Sequence, residues 1–195
     1  MPGVRTLLVI GIHREELAFG REVVQGLQVE GLDVLEIPEG LSGRRPLPDE
    51  TFRYGTLHRA LYLQLLPYLG ESHGLLIDLH SGLDEQGPSA DLLCADAALR
   101  ARLRCALDAE GWKARPDAAV RIVPLGQAGV VQARTVIPEA IWNNSAFAYL
   151  GLELYLPATA AGHASGAALA RRLVRLAVGC MQEEGGEQEG RRPRA

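Results

Sequence analysis

The sequence predicts an α/β fold: a mostly parallel mixed sheet with helices on both faces. Three observations predict it. Short apolar runs recur at residues 4–12, 32–37 and 74–79, rich in Leu, Val and Ile without strict polar alternation, as in strands buried on both faces. Segments with helical spacing of apolar residues separate those runs. Further short strands then follow one another closely before a last helix, which calls for an antiparallel portion.

Taken in order, the first strand ends at Gly11 and the polar His13-Arg14-Glu15-Glu16. A helix over residues 15–27 carries Phe19, Val23, Val24 and Leu27 as its apolar stripe. Residues 32–37 form the second strand. Residues 38–48 hold Gly40, Gly43, Pro46 and the pair Arg44-Arg45, which is loop composition. Asp49 can cap a helix bearing Leu57, Leu61 and Leu65, and Gly70 stops it. The third strand ends in Asp78-Leu79-His80-Ser81-Gly82, and a polar loop follows to Ser89. Residues 95–111 read as helix, 120–124 and 130–137 as strands, 138–144 as a short helical turn, and 150–156 as a strand. The last helix spans 165–181, with Leu169, Leu173 and Leu176 facing inward. Residues 1–180 thus make one domain, and the polar stretch 181–195, with no apolar face to bury, is a disordered tail.

Composition narrows the function. The 195 residues are 47% apolar, enough for a sizeable core, and carry 20 basic against 24 acidic side chains, a net charge of −4. No basic face suggests a nucleic-acid partner. No run approaches the ~18 apolar residues of a membrane span. The first apolar run is too short and too soon broken for a signal peptide, so a cytoplasmic protein is expected. The cysteines Cys94, Cys105 and Cys180 form no framework or CxxC pattern and read as core thiols in a reducing compartment. The oligomeric state is open.

His13 and Glu16 follow the end of one strand, and His80 ends another. In open α/β sheets ligand groups gather outside the carboxyl ends of strands. Two imidazoles and one carboxylate suit zinc and leave a coordination position for water. A carboxylate that is not a ligand must then accept the water proton and pass it on. Asp78 lies two residues before His80, on the same face of a continuing strand, and can orient the imidazole of either His80 or His13. Glu153 lies in a late strand between Leu152 and Leu154.

The chain resembles the zinc carboxypeptidase superfamily, nearer its succinylglutamate desuccinylase and aspartoacylase branch. The segments that carry the likeness are Gly11-Ile12-His13-Arg14-Glu15-Glu16, Ile77-Asp78-Leu79-His80-Ser81-Gly82 and Gly151-Leu152-Glu153-Leu154. The first is similar to the Gly-x-His-Gly-Asn-Glu of that branch, with Arg14 and Glu15 in place of Gly and Asn. The resemblance implies one Zn2+ per chain on His13, Glu16 and His80, and Glu153 as general base and acid. It also implies an arginine site for a substrate carboxylate. The family's Asn-Arg pair is absent; Arg44 and Arg45 are its nearest counterparts, and an arginine fork suits a carboxylate. Arg53, Arg134 and Tyr155 are further candidates for substrate contact. His58 and His73 read as a helix-surface and a strand-start residue, and His163 as a surface residue at a helix start.

The expected activity is hydrolysis of an amide in a small carboxylate-bearing N-acyl amino acid or related compound. A metallocarboxypeptidase acting on a peptide or cell-wall peptide uses the same centre, and a non-catalytic metal-binding homologue is the third reading. The chain is short for that branch and is expected to lack its extra C-terminal domain, which leaves room for a peptide.

Overall fold

The computed structural model describes residues 4–112, 119–127 and 136–189, with side chains as far as 182. Strands β1 (Arg5–Ile10), β2 (Leu32–Glu36), β3 (His73–Leu83), β4 (Ser89–Cys94), β5 (Ala119–Pro124) and β6 (Ala148–Leu156) build one sheet. Its order is β2-β1-β3-β6-β4-β5. The first four in that order run parallel; β4 runs antiparallel to β6, and β5 runs parallel to β4. The mixed sheet expected from the sequence is present, but its antiparallel seam joins β6 to β4.

Helices α1 (Leu17–Gln25), α3 (Ala97–Ala109) and α5 (Ala160–Glu189) cover one face of the sheet. They bury Phe19, Val23, Leu99, Leu103, Leu173 and Val174 against Leu8, Ile77, Leu92 and Leu152. Helices α2 (Thr51–Leu63) and α4 (Glu139–Trp142) cover the other, where Tyr62, Leu65 and Ile141 meet Leu7, Val9, Leu76 and Tyr149. Strand alternation sends Leu76, Asp78 and His80 of β3 to this second face, and with them Tyr149 and Glu153 of β6.

Several elements depart from the sequence reading. Strand β4 was not foreseen: Ser-Ala-Asp-Leu-Leu-Cys has no β-branched residue, and only pairing on both sides makes it a strand. Strand β3 runs on through Leu83, so His80 stands within the strand, paired with β6, and the loop before Ser89 shortens. Residues 14–16 are a 3-10 turn ahead of α1. The strand expected over 130–137 falls largely outside the described residues; Val136 and Ile137 form a bend. Helix α5 continues past Met181 into the stretch assigned by composition to a tail, and residues 190–195 are outside the described residues. Cys94 and Cys180 are buried, whereas Cys105 is exposed and not a core residue.

The chain end of β1 is shaped by two glycines. Gly11 has φ +86°, a conformation that β-carbons disfavour. A Cβ at Gly40 would sit 1.9 Å from the Gly11 carbonyl oxygen, so only glycine lets the 38–43 loop cross here. That crossing sets Leu41 beside His13: Arg14 N–H donates to Leu41 O, and Leu41 N–H donates to Ile12 O, both at 2.9 Å.

Candidate metal centre

His13 follows β1, Glu16 closes the 3-10 turn, and His80 lies on β3. The turn brings Glu16 under both rings. Its Oε1 is 2.9 Å from His13 Nδ1, and its Oε2 is 2.9 Å from His80 Nδ1. The ring centroids of His13 and His80 are 4.9 Å apart. Ligating atoms of these three residues all lie within 4.8 Å of one another, a group that could hold a metal ion. Two atoms each ~2.1 Å from one tetrahedral ion stand roughly 3.4 Å apart, between the 2.9 Å contacts and the 4.8 Å limit of this group.

The second hydrogen bond of His80 fits that use. Its Nε2 faces Asp78 Oδ2 at 3.0 Å. Asp78 only accepts, so Nε2 carries a proton; Nδ1 also faces a carboxylate, Glu16, and donates to it here, a proton that a metal ion held by the same two atoms would replace. The sequence left Asp78 free to orient either imidazole; the structure sets it against His80.

Asp78 is fully buried. Its Oδ2 also accepts from the hydroxyls of Tyr62 at 2.7 Å and Tyr149 at 3.0 Å. Burial alone would raise its pKa, but the His80 charge and these hydrogen bonds outweigh burial and hold it below the ordinary carboxylate value. His80 moves the opposite way: burial opposes its charge, but Asp78, Glu153 and the hydrogen bond to Glu16 raise it well above the usual histidine value. Glu16 feels burial upward and both histidines downward, with a net lowering. Tyr62 and Tyr149 were not singled out in the sequence. The signal available was weak: each is an aromatic in an apolar stretch, and neither has a motif.

Glu153 is paired in register with His80 on the neighbouring strand, so both side chains leave the same face side by side. Burial raises its carboxyl pKa; the nearby His80 lowers it, and Asp78 and Glu16 raise it further. No hydrogen bond holds this carboxylate among the described residues. The register row continues from Glu153 to Asp91 on β4 and on to Arg121 on β5. Asp91 is buried and takes both forks of Arg121, at 2.7 and 2.8 Å. Tyr155, two residues past Glu153 on the same face, packs its ring over Gly82 and is partly buried.

His58 is the main correction. It was expected on a helix surface, yet it is 2% exposed, and its Nε2 is 3.2 Å from His13 Nε2. Glu15 has a local role beside this cluster. The Glu15 carboxylate accepts from Gly43 N–H at 2.9 Å and Ser42 O–H at 3.0 Å, tying the 40–43 loop against His13. Those bonds hold its pKa down to about 2, chiefly through the Gly43 amide.

A cleft of about 410 Å3 opens beside His58 and is lined also by Tyr54, Arg14, Arg44, Arg53 and Glu50. Arg44 donates to Glu50 at 2.9 and 3.2 Å. Arg45 is exposed and is not among the residues lining the cleft. Arg134 lies outside the described residues. His163 is exposed and meets Phe19 edge-on, and His73 opens β3 and bonds Asp33 at 2.9 Å.

An α/β sheet with a His/Glu/His group built from the turn after β1 and from within β3 is the class of fold and site this chain defines. No family model and no curated protein matches its sequence. Among solved structures it is similar to a mutant of murine aminoacylase 3, with a TM-score of 0.52 and 15% identity over 93% of this chain. The chain spans 64% of that protein's length. It is also similar to the catalytic domain of the CD27L endolysin targeting Clostridia difficile, with a TM-score of 0.49 and 12% identity, covering 91% of this chain and 96% of that one. At 15% identity the likeness to aminoacylase 3 is one of fold. No helix among the described residues is long and apolar enough to cross a membrane.

Proposed function

We propose that residues 1–180 form the catalytic domain of a zinc-dependent amide hydrolase acting on a small carboxylate-bearing N-acyl amino acid or related compound. The convergence of His13, Glu16 and His80, with Glu153 beside His80 in register, carries this reading. The fold shared with an aminoacylase supports it. One zinc on these three ligands would acidify a water and polarise the scissile carbonyl.

The protein's own groups do the rest. Glu153 has no other hydrogen-bond partner among the described residues, so its carboxylate is available to take the water proton and deliver it to the leaving amine. Its raised pKa makes it a stronger base than a surface glutamate. Asp78, clamped by Tyr62 and Tyr149, keeps His80 from turning. Tyr155, on the Glu153 face, is a further candidate for substrate contact. Arg44 and Arg45, with Arg134, are the candidates to hold the substrate carboxylate, and Arg53 stands on the same cleft as Arg44.

The test is a panel of N-acyl amino acids and short peptides incubated with zinc-loaded protein. Release of free amino acid from the N-acyl compounds supports the reading. Cleavage of peptides alone would move the substrate to the carboxypeptidase class. A zinc-loaded, folded protein inert toward every amide would overturn the enzymatic reading.

A further inference from the structure

We propose that His58 is the positioning residue for His13: it holds the His13 ring in the tautomer and orientation that leave Nδ1 free to ligate. This rests on the zinc reading above and adds a residue to it that the motif segments do not contain.

The argument starts at a backbone carbonyl. His58 Nδ1 is 2.9 Å from Tyr54 O, one turn back on α2. A carbonyl can only accept, so Nδ1 of His58 carries a proton. The other ring nitrogen, Nε2, faces His13 Nε2 at 3.2 Å. Of two facing ring nitrogens, one donates and the other accepts. His58 is buried and already donates through Nδ1; as a neutral ring it has only a lone pair at Nε2. His13 Nε2–H is therefore the donor. In a neutral His13 ring, the form that ligates a metal, Nδ1 is then the nitrogen with the lone pair, on the side of Glu16 Oε1, 2.9 Å away.

The two ligand histidines thus reach one state by different means. His80 donates its Nε2–H to a buried carboxylate, and His13 donates its Nε2–H to a neutral imidazole. Both present Nδ1 to the same glutamate. A neutral partner leaves the cluster one negative charge poorer than a second carboxylate would.

His58 is itself held firmly. The Tyr54 ring lies against it, with centroids 3.8 Å apart and planes tilted by 34°. On its loop side, the His13 ring meets Gly43, where an added Cβ would stand 3.2 Å from His13 Cγ. His13 is fixed between loop and helix, with His58 on the side of the ring away from Glu16. His58 is therefore a support for a ligand and is not part of the ligand group itself.

The experiment compares wild type with His58→Leu and His58→Gln, titrating zinc into each metal-free protein against a competing chelator. Losing a ligand's hydrogen-bond partner costs about 10- to 100-fold in metal affinity, which is the loss expected for His58→Leu. Glutamine can accept from His13 through its oxygen and donate to Tyr54 through its nitrogen, so His58→Gln should stay within a few-fold of wild type. Equal zinc affinity of wild type and a folded His58→Leu overturns the inference and leaves the zinc reading standing. A wild type that binds no zinc overturns both. If His58→Leu does not fold, long-range 1H–15N spectra of wild type decide. Nδ1–H on His58 with Nε2–H on His13 supports the inference; Nε2–H on His58 contradicts it.

Discussion

Glu153 is where a single side chain decides most. Its carboxyl sits beside His80 with burial raising its pKa, so it is a base only once it has lost a proton that it holds more tightly than a free glutamate does. The pH dependence of kcat/KM should accordingly show an acid limb above the ordinary glutamate value. Glu153→Gln should remove that limb and lower hydrolysis by about 10²- to 10⁴-fold while zinc content stays unchanged. The sign for stability is opposite to that for activity. A carboxyl whose folded pKa exceeds its unfolded one favours folding when protonated and loses that advantage as pH rises through the folded value. In metal-free protein at neutral pH, Glu153→Gln should therefore raise Tm, and a lowered Tm would count against a desolvated carboxylate here. Asp78 is the converse case. Asp78→Asn puts an amide where Tyr62, Tyr149 and His80 all donate, and zinc affinity measured by chelator competition should fall about 10- to 100-fold.

At the scale of elements, the segments with dense apolar content were legible and the site's supports were not. Strands β1, β2 and β6 and helices α1, α3 and α5 follow from runs and stripes that the chain must bury. His13, Glu16 and His80 were legible because the motif residues follow or lie in the apolar runs of β1 and β3, although His80 stands within its strand and not at its end. His58, Tyr62 and Tyr149 were hidden because their roles depend on how α2 and β6 pack against β3, which no local pattern encodes. Strand β4, without β-branched residues, was hidden for the same reason. The 40–43 loop gives a test at this scale. Glu15 ties it down with a pKa near 2, so its contribution to stability is complete above the unfolded value of about 4.5 and is lost as pH falls toward 2. Glu15→Gln should make acid unfolding between those values less steep. Gly40→Ala drives a β-carbon into the Gly11 carbonyl and should cost about 3 kcal/mol in denaturant unfolding.

For the whole molecule, the sheet order places three ligand-bearing segments and the Glu153 strand around one face, with α2 closing it from above. The fold is shared with a longer aminoacylase at 15% identity, so the chemistry must be argued from the site and not from the likeness. The most direct measurement is the metal content of purified protein by elemental analysis, beside His13→Ala, Glu16→Ala and His80→Ala. The account predicts one zinc per wild-type chain and its loss from each variant. Zinc absent from wild type after reconstitution, or retained at full stoichiometry in all three variants, would contradict it.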